Sequence, residues 1–198
     1  MKHLILYPAF CLALGMTAPA AYAVDAATVP TIKQTRLGQY LSAEEAAKFV
    51  AKDPAATLFL DVRTPAEVAF VGMPTPVDAN VPYVVQPEFP SWDAERNTLK
   101  LELNPDFVPE VRRRLTAKGL TPDSNVVLIC RSGDRSALAA NLLSEAGYKH
   151  VYSVVDGFEG DLAKDGPNAG RRAVNGWKNA GLAWSYKLDK AKMYKLGQ

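Results

Sequence analysis

The chain has 198 residues, 48% of them hydrophobic, and its 23 Lys and Arg stand against 21 Asp and Glu for a formal net charge of +2. Such balance gives no support for nucleic-acid or membrane-surface binding, which normally shows as clustered basic excess, so charge names no partner. The densest basic run, Arg112-Arg113-Arg114, falls in an expected helix and reads as a solvated face.

Residues 1–23 read as an export signal. Lys2 supplies the positive start, Leu4 to Met16 a mostly apolar stretch, and Ala21-Tyr22-Ala23 a small-x-small site, with the cut expected after Ala23. Pro8, Gly15 and Pro19 interrupt that stretch, and no later segment approaches the run of about 20 apolar residues needed to span a membrane. The expectation is a periplasmic or secreted protein, free of the membrane after cleavage. Cys11 leaves with the signal, so Cys130 becomes the sole cysteine and a disulfide within the mature chain is excluded. One remaining histidine, His150, with one cysteine makes no metal site. About 175 mature residues fit a single domain with a sizeable core.

Strand and helix periodicities then alternate, as in an α/β layer fold. Ser42 followed by Glu45 is a capping box for a first helix that runs to about Ala51. Thr57 to Val62 is a short apolar run without polar alternation, which suits a parallel strand covered on both faces. Thr64-Pro65-Ala66-Glu67 repeats the capping pattern, with proline at the first helical position.

From Gly72 to Pro109 the chain is rich in proline and aromatic residues. Its one clear alternation, Thr98 to Leu103, predicts a half-exposed strand. A helix is expected from about Val108 to Lys118, with Val108, Val111 and Leu115 on one face and Gly119 as a left-handed stop. Val126 to Ile129 is the clearest buried strand and delivers Cys130 at its carboxyl end. Ser136 to Ala146 reads as a helix with Leu138, Leu142, Leu143 and Ala146 inward, and Val151 to Val155 as the last core strand.

Between that strand and helix lies Cys130-Arg131-Ser132-Gly133-Asp134-Arg135-Ser136. The turn from a parallel strand into a helix aims backbone N–H groups inward, with Gly133 supplying a position free of Cβ conflict. Together with the positive end of a helix beginning near Ser136, those amides form a cradle for a negative group and favour a thiolate. Arg131 and Arg135 add fixed positive charge suited to oxyanions. No histidine adjoins Cys130 in sequence. A cysteine activated by field alone suits attack on sulfur or phosphorus more than peptide hydrolysis.

These residues resemble the rhodanese family of sulfurtransferases. The resemblance runs from about Tyr40 to Tyr186 through Leu60-Asp61-Val62-Arg63 with Glu67, Ala79-Asn80-Val81-Pro82, the Cys130 to Ser136 loop, Ala146-Gly147-Tyr148, Val151-Tyr152 and Asp156-Gly157-Phe158. It implies a rhodanese-like α/β fold, with a central parallel sheet of about five strands flanked by helices on both faces. The domain spans 40–186, with insertions at about 83–105 and 160–176, an N-terminal extension over 24–39 and a C-terminal tail over 187–198.

The resemblance also implies that Cys130 takes a sulfane sulfur from thiosulfate or a persulfide donor, holds it as a persulfide and passes it to cyanide or a thiol acceptor. Arg131, Ser132, Gly133, Asp134, Arg135 and Ser136 would bind the substrate anion. Asp61 and Arg63 would support the site structurally, with Arg63 tying down a nearby loop or Glu67. No cofactor is implied, and neither a glycine-rich nucleotide motif nor a haem-attachment pair is present.

Departures mark this chain. Gly72-Met73-Pro74 stands where many members carry Gly-His before proline, and the segment from Gly160 to Gly176 delays the tryptophan that normally follows sooner, here Trp177. That segment is expected near the surface. Two other functions fit the pattern: a non-catalytic sulfur carrier or protein-binding module, and a phosphatase of related fold. The phosphatase is disfavoured because Ser136 occupies the place of the phosphate-binding arginine and Ile129 that of the preceding histidine.

Overall fold

Buried β-branched and leucine runs place the strands at the centre of the molecule, and capped amphipathic segments place helices on both sides. The computed structural model describes residues 24–95 and 97–196; the export-signal reading over residues 1–23 lies outside the described residues. In chain order the strands and α-helices are β1 (Tyr40–Leu41), α1 (Ala43–Lys52), β2 (Thr57–Asp61), α2 (Pro65–Val71), β3 (Met73–Pro74), β4 (Ala79–Asn80), β5 (Val84–Val85) and β6 (Trp92–Asp93). They continue with β7 (Thr98–Leu99), β8 (Glu102–Leu103), α3 (Phe107–Ala117), β9 (Asn125–Ile129), α4 (Asp134–Glu145), β10 (Val151–Val154) and β11 (Trp184–Ser185).

Five strands make one parallel sheet in the order β1-β10-β9-β2-β4. Side chains alternate across it. Leu58, Leu60, Val126 and Leu128 face a layer containing Val111 and Leu115 of α3 and Ala139, Ala140 and Leu143 of α4. Phe59, Val127 and Ile129 face the opposite layer, with Ala46 and Val50 of α1, Val68 of α2 and Trp177. The rhodanese-like architecture with helices on both faces is therefore present as expected.

Both capping boxes form. Ser42 Oγ accepts from the Glu45 N–H at 3.2 Å and Thr64 Oγ1 from the Glu67 N–H at 3.3 Å, while each glutamate reaches back to the cap N–H.

Three sequence expectations need correction. The alternation from Thr98 to Leu103 is not one strand but two: β7 pairs with β6 and β8 with β5, in antiparallel ribbons separate from the main sheet. Leu99, Leu101 and Leu103 stay exposed because no layer covers these ribbons.

The helix expected from Ser136 begins at Asp134, since Gly133 takes up the left-handed cap conformation with φ of 99° and completes the turn sooner. Its inward face is also different: Leu138 is 50% exposed and Ala146 is exposed. The turn at Gly133 points Ser136 inward, so Ala139, Ala140 and Leu143 follow on the same stripe at helical spacing. Small side chains there let α4 lie close against β9 and β10.

Candidate active site

Parallel strands end together, so the carboxyl edge of the sheet gathers Asp61 at the end of β2 and Arg63 just beyond it, Asn80 at the end of β4, Cys130 after β9 and Asp156 after β10. Cys130 is 1% exposed and is the floor of this edge. It belongs to the same buried cluster as Leu60, Val62 and Val81, yet its sulfur has polar neighbours. The Gly133 N–H donates to Sγ at 3.1 Å, and Ser136 Oγ lies 3.6 Å from the sulfur.

The loop is clamped from the side of β10. Phe158 N–H donates to the Cys130 carbonyl at 2.8 Å and Glu159 N–H to the Arg131 carbonyl at 2.9 Å. Planar trans peptides set the N–H groups of Arg131 and Ser132 opposite those carbonyls, away from the clamp. Asp134, Arg135 and Ser136 form the first turn of α4, whose N–H groups have no acceptor within the helix. A positive helix end thus stands over the thiol.

Two glycines permit the close approach. A Cβ on Gly133 would lie 2.1 Å from the Val155 carbonyl oxygen, and one on Gly157, at φ of 66°, would lie 2.6 Å from the Arg131 carbonyl and the Ser132 nitrogen. Asp156-Gly157-Phe158 is therefore the wall against which the cysteine loop is built.

Arg63 is fully buried. Its Nε and Nη2 bind both Asp61 oxygens, with Nη2 at 2.6 Å from Oδ2, and Nη2 also donates to the Gly72 carbonyl at 2.8 Å. The guanidinium stacks 4.1 Å from the Phe158 ring centroid. It ties down the Gly72 turn, one of the two tasks expected of it. Glu67, the other, is not its partner.

Glu67 is taken by Arg135: Nη1 donates to Oε2 at 2.7 Å and Nη2 to Oε1 at 2.5 Å. Burial raises the Glu67 carboxyl, but the hydrogen bonds and charge of Arg135, with help from Thr64, outweigh it and hold the group at about 2. Glu67 thus neutralises Arg135, whereas Arg131, the other arginine expected to steer anions, is exposed. Of the other loop residues, Ser132 and Ser136 are buried and Asp134 is half-buried.

Residues overlooked in sequence also converge here. Asn80 Nδ2 donates to the carbonyls of Asp61 at 3.0 Å and Arg63 at 2.8 Å, fixing the end of β2. Ser153 Oγ donates to Ser136 Oγ at 2.9 Å. Asp156 accepts from the Gly176 N–H at 3.2 Å, and its burial outweighs its backbone hydrogen bonds and Lys33 to push the carboxyl up to about 6. Only Asn80 and Asp156 had a signal, inside the motifs that resemble rhodaneses. Ser153 had none.

The segment from Gly160 to Gly176 closes on itself beside the loop. Gly160 N–H reaches the Arg131 carbonyl at 3.3 Å, Arg172 Nη1 donates to the Gly160 carbonyl at 2.6 Å, and Lys33 pairs with Asp161 at 2.7 Å. A cavity of about 450 Å³ lies elsewhere, at the amino edge of the sheet, between Val50, Pro54, Trp177 and the Asp78 and Lys118 pair. Its lining contains no cysteine, serine or threonine.

A five-stranded parallel α/β sheet carrying a cysteine loop at its carboxyl edge is the arrangement expected of a rhodanese-like domain. The sequence profile of the rhodanese-like domain matches residues 42–164, and the chain belongs to that family.

An uncharacterized protein of Rickettsia prowazekii, RP600, is 34% identical over 88 residues, which cover 44% of this chain and 61% of that protein. The chain thus spans less than two thirds of that relative. The thiosulfate sulfurtransferase GlpE of Tolumonas auensis is 36% identical over 70 residues, covering 35% of this chain and 61% of GlpE. Among solved structures, Rv0390 from M. tuberculosis superposes with a TM-score of 0.56 at 28% identity, covering 75% of this chain and 98% of that one.

Proposed function

We propose that this protein is a sulfurtransferase that carries sulfane sulfur on Cys130 in the periplasm or outside the cell. The observation that carries the reading is the Gly133 N–H at 3.1 Å from Sγ, at the start of α4, where backbone charge stabilises an anionic sulfur. The export pattern of residues 1–23 supports the compartment.

In the first half-reaction the Cys130 thiolate attacks the outer sulfur of thiosulfate. The S–S bond breaks and sulfite leaves with its electron pair, so Cys130 holds a persulfide. Cyanide or a thiolate acceptor then attacks the outer sulfur, and the Cys130 thiolate is restored as the leaving group. Sulfite leaves without needing a proton, so the step calls for no general acid, and the thiolate needs no general base. His150, the only histidine among the described residues, precedes β10 at the other edge of the sheet. Arg131 draws the donor to the loop, and N–H groups of residues 131–136 receive its negative charge. Cys130 is nearly covered, so the donor must gain access to Sγ before the first half-reaction.

The paired state of Arg135 weighs against phosphoryl chemistry, because the loop guanidinium best placed to clamp a phosphate is spent on Glu67. Thiocyanate formation from thiosulfate and cyanide tests the proposal. Activity is expected in the wild type and lost in Cys130→Ser; activity that survives this substitution places the chemistry on another residue.

A further inference from the structure

Two buried hydroxyls lie beneath the thiol. Ser153 Oγ donates to Ser136 Oγ at 2.9 Å, Ser136 Oγ donates to the Gly133 carbonyl at 2.9 Å, and the Cys130 thiol points at Ser136 Oγ across 3.6 Å. Ser136 and Ser153 are both fully buried. Ser153 stands in β10 opposite Leu128 on one side and Tyr40 on the other, in a strand whose buried neighbours are Val151 and Val154. Valine would fill such a site without a desolvation cost, whereas a hydroxyl there must be hydrogen-bonded to be tolerated. Nothing in the packing of the strand explains it.

Resting on the reading of Cys130 as the sulfur-carrying nucleophile, we propose that Ser153 is a positioning residue that acts through Ser136 to make a hydroxyl donor ready for the anionic sulfur. A hydroxyl has one proton and two lone pairs. With Cys130 as a thiol, the Ser136 proton lies on the Gly133 carbonyl, and its lone pairs take the Ser153 O–H and the Cys130 S–H. All three positions are filled.

Ionisation sends the thiol proton to solvent and leaves the sulfur short of donors. The Ser136 O–H then swings from the Gly133 carbonyl to Sγ by rotation about its C–O bond, with no covalent bond broken. The Gly133 carbonyl stays satisfied, because the Ala137 N–H already reaches it at 3.1 Å. Ser153 continues to donate into Ser136 Oγ, which polarises the Ser136 O–H and strengthens it as a donor. The anion thereby gains a second short-range partner beside the Gly133 N–H.

The pH profile of Cys130 alkylation by iodoacetamide tests this, because only the thiolate reacts. Removing Ser153 weakens one link of the network, so Ser153→Ala is expected to react about threefold more slowly on the rising limb of the profile. Its rate at the alkaline plateau is expected to equal that of the wild type. Ser136→Ala is expected to shift the profile in the same direction and at least as far, and Ser153→Thr, which keeps a hydroxyl, to return it toward the wild type.

A Ser153→Ala profile that overlays the wild type overturns the proposal. So does an equal loss of rate at every pH, since that reports access to the sulfur. Alkylation needs no sulfur donor, so this outcome is independent of whether the wild type acquires a cyanide-removable sulfur.

Discussion

Arg135 and Glu67 meet end to end, the guanidinium of the cysteine-loop helix forking onto the carboxylate at the start of α2. The pair joins two helices on opposite faces of the sheet across its carboxyl edge. Water reaches both side chains, which are 19% and 24% exposed, so the pair falls between a surface bridge and a buried one. Arg135→Ala should lower stability by about 1–3 kcal/mol, because it strands a largely covered carboxylate. Denaturant melts of Arg135→Ala, Glu67→Gln and the double variant check this: the double variant should be more stable than the sum of the two single losses implies. Additive losses would show that the pair is not coupled.

Acid should break the same contact. The Glu67 carboxyl, at about 2 in the folded chain against 4.5 for the free group, contributes stability that is intact above about 4.5 and lost as pH falls through about 2. The Glu67→Gln variant should therefore show a flatter loss of stability over that acid range than the wild type in the same denaturant series.

Asp156 behaves in the opposite sense. Its carboxyl sits at about 6 when folded, against 3.8 for the free group, so the folded chain holds that proton more tightly. Its contribution is full below about 3.8 and is lost as pH rises through about 6, an effect on the order of 3 kcal/mol. Asp156→Asn keeps an oxygen for the Gly176 N–H and cannot titrate. Unfolding midpoints at pH 4 and pH 7 should show the variant gaining on the wild type at the higher pH, and a gap that does not change with pH would remove Asp156 from the account.

Gly157 carries the shape of the loop without touching the sulfur. The methyl group of Gly157→Ala would meet the Arg131 and Ser132 backbone at 2.6 Å in a left-handed conformation. Overpacking and backbone strain together are expected to cost about 2–5 kcal/mol. Sulfur loading should be lost even at temperatures where the variant remains folded, as read by circular dichroism beside a loading assay. A folded variant that loads normally would show that the loop tolerates displacement.

Much of the fold is legible in the residues because local signals agree with the global arrangement. Ser42 with Glu45 and Thr64 with Glu67 mark two helix starts, and Val126 to Ile129 marks the strand that delivers the cysteine. Edge strands β1 and β4 have two residues each, too few for a period to show, so Tyr40–Leu41 and Ala79–Asn80 do not read as strands. The leucines at 99, 101 and 103 alternate convincingly but face solvent, since alternation records a sheet face and not what covers it.

The site divides along the same line. Cys130 and Gly133 stand out because their chemistry and backbone demands are local. The partner of Arg135 is 68 residues away in sequence, and that of Ser136 is 17, so both are set by tertiary packing. Hence Arg135, a steering charge when read in sequence, is a structural clamp in the folded chain.

Intact-protein mass after incubation with thiosulfate, before and after cyanide, tests the central claim most directly. The wild type should gain one sulfur atom that cyanide removes, and Cys130→Ser should gain none. A wild type whose mass does not change, or an added sulfur that persists in Cys130→Ser, would contradict the assignment of Cys130 as the sulfur carrier.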